Sequence, residues 1–268
     1  MFVDSHAHLF FKDYESDLGD VVKRAADAGV QFIVNPGTDL ATSRESISLA
    51  EQFEMMYACV GFHPHDAAKA DSVSLNEIER LSEHPKVVGI GEIGLDYHYD
   101  YSPREKQREI FALQIEIAQR RNLPIVIHSR EAEADTLAIV EEKLRQQPSW
   151  RQGKRKGVFH CFPGDIAMAE KVIGWGFNIS IPGPVTFPVK PQKPNSMADV
   201  VSRIPIQHIM LETDSPYLTP VPNRGKRNEP SNIPLIARKI SELSGRSIEE
   251  VGVATTNASC NLFGINIH

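Results

Sequence analysis

The chain opens with residues 1–9, MFVDSHAHL, in which an apolar, β-prone start is followed by polar residues at every second position. Asp4, His6 and His8 occupy those alternate positions. Alternate side chains of an extended strand point to the same face. We therefore expect His6 and His8 to converge and to supply half of a metal site, since neutral imidazole nitrogens are common metal ligands. A lone strand histidine more often packs in a core or on a surface, so other strands must supply the remaining ligands.

Short apolar runs alternate with longer amphipathic segments along the whole chain, which is typical of repeated βα units. The predicted strands are Phe2–His8, Gln31–Asn35, Met56–Gly61, Val87–Glu92, Pro124–His128, Gly157–His160, Phe177–Ile181 and His208–Glu212. The predicted helices are Ser16–Ala28, Leu40–Phe53, Leu75–Ser82, Pro103–Arg121, Ala134–Gln146, Ile166–Trp175, Met197–Arg203, Ile233–Ser244 and Ile248–Phe263. Eight such units in 268 residues favour an α/β fold of the (β/α)8 TIM-barrel type, with residues 1–268 as a single domain. A doubly wound open sheet is the alternative.

Local capping patterns support several of these helix boundaries. Ser102 before Pro103 predicts an N-cap followed by a proline at the first helical position. Ser74 with Glu77 three residues later has the spacing of a capping box. Gly29 is placed where a helix commonly ends in a left-handed glycine.

Composition and charge limit the classes of function. Hydrophobic residues make up 41% and charged residues 24%, as in ordinary soluble proteins. No apolar run is long enough to span a membrane, and no signal peptide is visible. Three widely spaced cysteines indicate reduced thiols, and we expect a cytoplasmic protein. The net charge of −6 argues mildly against a protein whose affinity depends on covering phosphates with basic side chains.

Polar side chains follow the predicted strands at their carboxyl ends, where the active sites of TIM barrels lie. Five of the strand ends carry candidate ligands, which are His6, His8, Glu92, His128, His160 and Asp214. Buried charges need partners, and two divalent cations would supply them. Six protein ligands suit a binuclear site in which a carboxylate bridges the ions. Nitrogen and oxygen ligands without thiolate are compatible with Mg, Mn or Zn, and with Co, without choosing among them.

Seven ordered motifs also resemble those of the TatD family of metal-dependent hydrolases, in the amidohydrolase superfamily. They are FVDSHAHL (2–9), GFHPH (61–65), GEIGLDYHYD (91–100), LPIVIHSR (123–130), FHCFPGD (159–165), IMLETDSPYLTP (209–220) and RGKRNEP (224–230). The resemblance implies a TIM-barrel hydrolase with a divalent-metal centre and deoxyribonuclease activity of 3′-to-5′ exonuclease character. The family's metal ligands fall on the same six residues, with Glu92 as the expected bridge. Within the proline-rich connection 182–194, the segment 184–191 departs from the family pattern because it is longer and rich in proline, which leaves substrate preference open.

These residues can be given roles. We expect His6, His8 and Asp214 to hold one ion, and His128 and His160 the other, with Glu92 joining both. Asp214 is the expected general base for the attacking water. His63, His65 and Arg130 lie at the same predicted rim and are expected to bind a substrate phosphate, with Arg130 using its bidentate fork; a structural role in the loops is the alternative.

The sequence is also compatible with other functions. The same metal centre could hydrolyse a carboxylic ester or amide, such as the aminoacyl ester of a tRNA, instead of single-stranded DNA ends. A non-catalytic scaffold would lack a ligand, and none of the six is missing. The cations of Arg224–Pro230 either attract a polyanion, or Glu229 anchors this loop through Arg227. Tyr217 is predicted either to stack on a base or to pack against neighbours.

Overall fold

The computed structural model describes residues 1–153, 155–188 and 197–267, without the side chain of Arg151. Residues 189–194 of the proline-rich segment fall outside these ranges. In the described ranges the chain forms eight strands, β1 to β8: Phe2–Asp4, Val30–Pro36, Met56–Val60, Val87–Asp96, Ile125–Arg130, Gly157–Phe159, Asn178–Ile181 and Ile209–Leu211. It also forms ten α-helices, α1 to α10: Leu18–Asp27, Leu40–Gln52, Ser72–Leu81, Arg104–Arg121, Glu133–Gln146, Pro148–Gln152, Ile166–Gly174, Met197–Arg203, Ile233–Ser244 and Ile248–Phe263.

The sheet has the strand order β1 to β8 without any exchange of position. Consecutive order excludes the doubly wound alternative, in which the order reverses at a switch point. The amide of Ser5, just after β1, donates to the carbonyl of Leu211 at the end of β8, so the last strand adjoins the first. The fold is therefore of the (β/α)8 TIM-barrel class, as predicted.

The chain divides into two compact units. The first comprises Met1–Asn35 and Gly164–His268, in which β1 pairs with β2 and β7 pairs with β8. The second comprises Pro36–Pro163, in which β3 to β6 pair in parallel. Each predicted strand and helix is present, and α6 was not predicted. One domain over residues 1–268 stays a prediction.

The longest strand, β4, is buried along its whole length, as expected of a parallel strand that is covered on both faces. Its polar residues are therefore enclosed and need partners. Gly94 in this strand has φ +142°, and a Cβ there would lie 1.9 Å from the carbonyl oxygen of His128 in β5. Only glycine lets the two backbones approach this closely. Throughout the described ranges, none of the helices has both the length and the apolar character that crossing a bilayer demands.

Two of the three capping predictions are wrong. Helix α3 begins three residues earlier than predicted, because Asp71 is its N-cap and accepts from the amide of Ser74 at 2.8 Å. Ser74 is the third helical residue, and its hydroxyl accepts a hydrogen bond from the Asp71 amide. The capping box is therefore formed by Asp71 and Ser74 instead of Ser74 and Glu77. Ser102 does not cap α4; its hydroxyl donates to the His65 carbonyl at 2.8 Å. Gly29 follows α1 with φ +86°, as predicted.

The basic loop after β8 is held against α1 by two ion pairs. Arg227 contacts Asp17 at 2.7 Å, and Glu229 contacts Arg24 at 2.7 Å, whereas Arg227 and Glu229 are 3.9 Å apart. Glu229 therefore does anchor the loop, but through Arg24 and not, as predicted, through Arg227. The hydrogen bond from Arg227 lowers the pKa of Asp17 to about 2.

Candidate metal centre

The first unit brings two histidines and one carboxylate together. The Nε2 atoms of His6 and His8 lie 3.1 Å apart, and they lie 3.7 and 3.6 Å from Oδ1 of Asp214. Strand β1 ends at Asp4, so both histidines follow the strand instead of belonging to it, contrary to the predicted span Phe2–His8. The two rings converge all the same. We call His6, His8 and Asp214 the first cluster.

Asp4 holds together the two segments that carry the first cluster. It is fully buried, and its Oδ1 accepts from the amides of His6 and Thr213, at 3.3 and 2.9 Å. Its Oδ2 accepts from the Thr213 hydroxyl. Burial raises the pKa of Asp4 to about 7, against the opposing effect of the hydrogen bonds from Thr213. No local sequence pattern indicates this role of Asp4, because its partner Thr213 lies 209 residues away.

Asp214 adopts a backbone conformation that few side chains favour. Its φ is +55°, in the left-handed region, which aspartate and asparagine tolerate better than most residues. Its amide donates to the His6 carbonyl at 2.9 Å. Its side chain is 16% exposed, whereas that of His6 is 1% exposed. Two positions earlier, the buried Glu212 accepts from the Ser180 hydroxyl at 2.7 Å.

The second unit gathers three imidazole nitrogens around one carboxylate oxygen. Oε1 of Glu92 lies 2.8 Å from Nε2 of His160, 2.9 Å from Nδ1 of His128 and 3.3 Å from Nε2 of His63. Glu92 is buried, so its carboxylate needs polar partners such as these imidazoles. We call Glu92, His128, His160 and His63 the second cluster. His63 was predicted to bind substrate, and the structure places it beside Glu92.

Asp96 is a further site residue, which was not among the predicted ones. It ends β4 and is buried, and its Oδ2 lies 3.1 Å from Nε2 of His128 and 2.9 Å from Nε2 of His65. Burial alone would raise the pKa of Asp96, but its hydrogen bonds with these histidines hold the pKa below its usual range. A carboxylate behind a histidine fixes the ring and its tautomer, which leaves Nδ1 of His128 directed at Glu92. The sequence feature that could have indicated this role is the position of Asp96 at the end of the GEIGLD motif.

The remaining predicted substrate-binding residues differ in burial. Burial lowers the pKa of His63 to about 4, so its ring is neutral at pH 7. The side chain of His65 is 27% exposed. Arg130 is exposed at the end of β5, and its guanidinium carbon lies 4.8 Å from the centroid of the Tyr99 ring.

The donor atoms of both clusters suit divalent cations. Four ligands at about 2.1 Å from a tetrahedral ion would lie about 3.4 Å from one another. The donor atoms of the first cluster are 3.1, 3.6 and 3.7 Å apart. In the second cluster Nδ1 of His128 and Nε2 of His160 are 3.2 Å apart, and both lie against Glu92. Imidazole and carboxylate ligands are those that Zn and Mn accept, and carboxylate suits Mg.

A TIM-barrel fold with histidine and carboxylate clusters at its strand ends is typical of metal-dependent hydrolases. The family model described as TatD related DNase matches residues 3–264. The metal-dependent hydrolase YabD of Bacillus subtilis is 41% identical over 266 residues, covering 99% of this chain and 100% of that protein. A Shigella flexneri protein named 3′-5′ ssDNA/RNA exonuclease TatD is 32% identical over 268 residues, covering 98% of each chain.

A solved structure agrees with these relatives. The crystal structure of YjjV, a TatD homologue from Escherichia coli, has a TM-score of 0.88 and 30% identity, covering 99% of this chain and 98% of that one. The class of protein is therefore a metal-dependent hydrolase with a TIM-barrel fold. Within that class, this chain belongs to the TatD family.

Proposed function

We propose that the protein is a metal-dependent deoxyribonuclease that removes nucleotides from the 3′ ends of single-stranded DNA. The observation that carries the proposal is the second cluster, in which three imidazole nitrogens surround the buried Glu92 carboxylate. The Shigella flexneri relative, named as a 3′-5′ exonuclease on single-stranded DNA and RNA, supports the choice of substrate and polarity.

Each cluster would hold one divalent ion, Mg, Mn or Zn. His6, His8 and Asp214 would hold the first, and Glu92, His128 and His160 the second. Bound there, such ions lower the pKa of water and neutralise charge on phosphoryl oxygens. Bridging of both ions by Glu92 stays a prediction from the resemblance.

Asp214 is the proposed general base. Its carboxylate is the most solvent-accessible group of the first cluster, at 16% exposed, while the two histidines are buried. A base must reach the water from which it takes a proton, and the partly exposed Asp214 side chain reaches solvent. In the same proposal Glu92 is catalytic because it sets the charge of the second cluster.

Phosphate binding is assigned to side chains of the second unit. His65 reaches solvent and is oriented by Asp96, so its ring can meet a phosphate at the rim. Arg130 is exposed, and its guanidinium can form two parallel hydrogen bonds with a phosphate. His63 is buried and neutral, and in this proposal it contacts the phosphoryl group from inside.

The test is metal reconstitution of the chelated protein with a single-stranded oligonucleotide labelled at its 5′ end. Mg, Mn and Zn are added back separately, and stepwise shortening from the 3′ end is the expected result. Glu92→Ala should abolish shortening, while Glu51→Ala, at an exposed surface glutamate, should retain it. A protein that binds two equivalents of metal yet shortens no oligonucleotide would overturn the nuclease, and aminoacyl-tRNA would be the next substrate assayed.

A further inference from the structure

Two exposed tyrosines form a stacked pair beside the second cluster. The rings of Tyr99 and Tyr101 are nearly parallel, at 8°, and their centroids are 5.2 Å apart. Tyr99 is 46% exposed and Tyr101 is 67% exposed. Large aromatic side chains are usually covered, because their burial contributes strongly to stability. Stacked rings cover each other's facing sides, so a planar ligand can extend the stack on the outer face of the more exposed ring, that of Tyr101.

The surroundings of the pair fix it in place. The His65 ring meets Tyr99 and Tyr101 edge-on, at centroid distances of 5.5 and 4.8 Å. The guanidinium of Arg130 lies over Tyr99 at 4.8 Å. Tyr99 is thus contacted by a cation and by three rings, those of His65, His98 and Tyr101, whereas Tyr101 has the more open ring. We call Tyr99, Tyr101 and Arg130 the aromatic platform.

The platform is tied to the second cluster through one carboxylate. Oδ1 of Asp96 accepts from the amides of His98 and Tyr99, at 3.0 and 3.2 Å, and so holds the loop that carries the tyrosines. Oδ2 of the same Asp96 lies against His65 and His128. A ligand on the platform would therefore lie against a loop whose position is fixed by the residue that orients His128.

We propose that the open ring of Tyr101 stacks on a nucleobase near the 3′ end of the substrate strand, while Arg130 contacts a phosphate of the same segment. Every base has a π-face, so such stacking binds single strands without sequence preference. A chain with a net charge of −6 cannot rely on broad electrostatic attraction to DNA, so stacking fits its need for affinity. The inference rests on the proposed function and names the subsite for the base.

Tyr217, the stacking candidate from the sequence, is a weaker choice. It is exposed, but its contact with Phe11 is edge-on, at 70° and 6.0 Å. An edge-on neighbour does not support the Tyr217 ring from behind, whereas the parallel Tyr99 ring supports Tyr101, so that a base on the outer face of Tyr101 continues the stack.

The experiment compares oligonucleotides with normal and abasic residues at each of the last three 3′ positions. Tyr101→Ala should raise KM about tenfold for the normal strand. At the position where the base stacks, an abasic residue should raise KM of the wild-type enzyme by a similar factor. On that abasic strand the wild type and Tyr101→Ala should have the same KM. Tyr101→Phe retains the ring and should recover the wild-type KM, and Val73→Ala, at an exposed apolar residue of α3, serves as the control.

Binding of a fluorescent single strand in EDTA gives a readout that needs neither metal nor turnover. There too Tyr101→Ala should weaken Kd about tenfold, and Tyr101→Phe should restore it. Equal Kd for wild type and Tyr101→Ala, or an equal loss on every abasic strand, would overturn the stacking role. If the wild type shortens no strand but binds DNA through Tyr101, the nuclease fails and the base subsite stands. If the wild type neither shortens nor binds any DNA strand, the proposed nuclease activity and the base subsite both fail.

Discussion

The Asp4 carboxylate accepts two hydrogen bonds from Thr213, one from its amide and one from its hydroxyl. Oδ1 also accepts from the His6 amide, so one buried side chain joins the start of the His6–His8 segment to the residue before Asp214. The side-chain amide of Asn228 donates to the Thr213 carbonyl at 3.0 Å and holds the same segment from another side. The spacing of the first cluster therefore depends on a residue that is not itself a member of it.

Asp4→Ala should destabilise the protein by about 3 kcal/mol in EDTA, because buried donors of His6 and Thr213 lose their acceptor. Thr213→Val removes only the hydroxyl and should cost about 1 kcal/mol. Urea unfolding, followed by circular dichroism, measures both values. Equal unfolding midpoints for Asp4→Ala and the wild type would contradict the joining role of Asp4.

Asp214→Asn should reduce kcat by about 10²- to 10⁴-fold, since the amide cannot accept the proton of the attacking water. Asparagine tolerates the left-handed conformation of this position, so the fold should be retained. Steady-state kinetics on the labelled strand, together with a thermal unfolding curve, separates the loss of a base from a loss of structure. Activity near that of the wild type would assign the base to another group.

Strand periodicity predicted the number, order and approximate bounds of the strands, because each parallel strand is a short apolar run with a polar residue at its end. It did not predict that β1 ends at Asp4, since its end is set by pairing with β2. The capping error at α3 has a local cause. Asp71 and Ser74 both precede a plausible first turn, and the aspartate forms the cap.

The candidate ligands could be predicted because their positions follow from strand ends, but the residues that hold them could not. Asp4 acts on Thr213 across 209 positions, and Asp96 acts on His65 across 31 and on His128 across 32. No local pattern encodes contacts at such separations. The stacking of Tyr99 on Tyr101 was missed for a related reason, since alternation in a loop does not determine where rings point.

Asp96→Asn should weaken metal binding at the second cluster by about 10- to 100-fold. The asparagine would no longer hold the rings of His65 and His128 through a charged oxygen, so Nδ1 of His128 would be less firmly directed at Glu92. Titration of the metal-free protein against a chromophoric chelator measures the affinity. Asp20→Asn, at an exposed position of α1, is the matched control and should leave it unchanged. An unchanged affinity for Asp96→Asn would show that His128 is positioned by its packing alone.

Acid should remove the stability contributed by the two ion pairs that hold the loop after β8, Arg227 with Asp17 and Arg24 with Glu229. The hydrogen bond from Arg227 lowers the pKa of Asp17 from 3.8 to about 2, and the contact with Arg24 holds the pKa of Glu229 below its usual range against the effect of burial. A carboxylate with a depressed pKa stabilises the folded state at pH values above its unfolded pKa, and this stabilisation is lost as the pH falls through the folded value.

Arg227→Gln should therefore lower the urea midpoint at pH 6, and the difference from wild type should shrink between pH 4 and pH 2. It should also shrink in 1 M salt, because these charges are partly exposed. A difference that persists unchanged at pH 2 would mean that Arg227 stabilises the loop by packing on the Tyr14 ring, 4.6 Å away, and not by its charge.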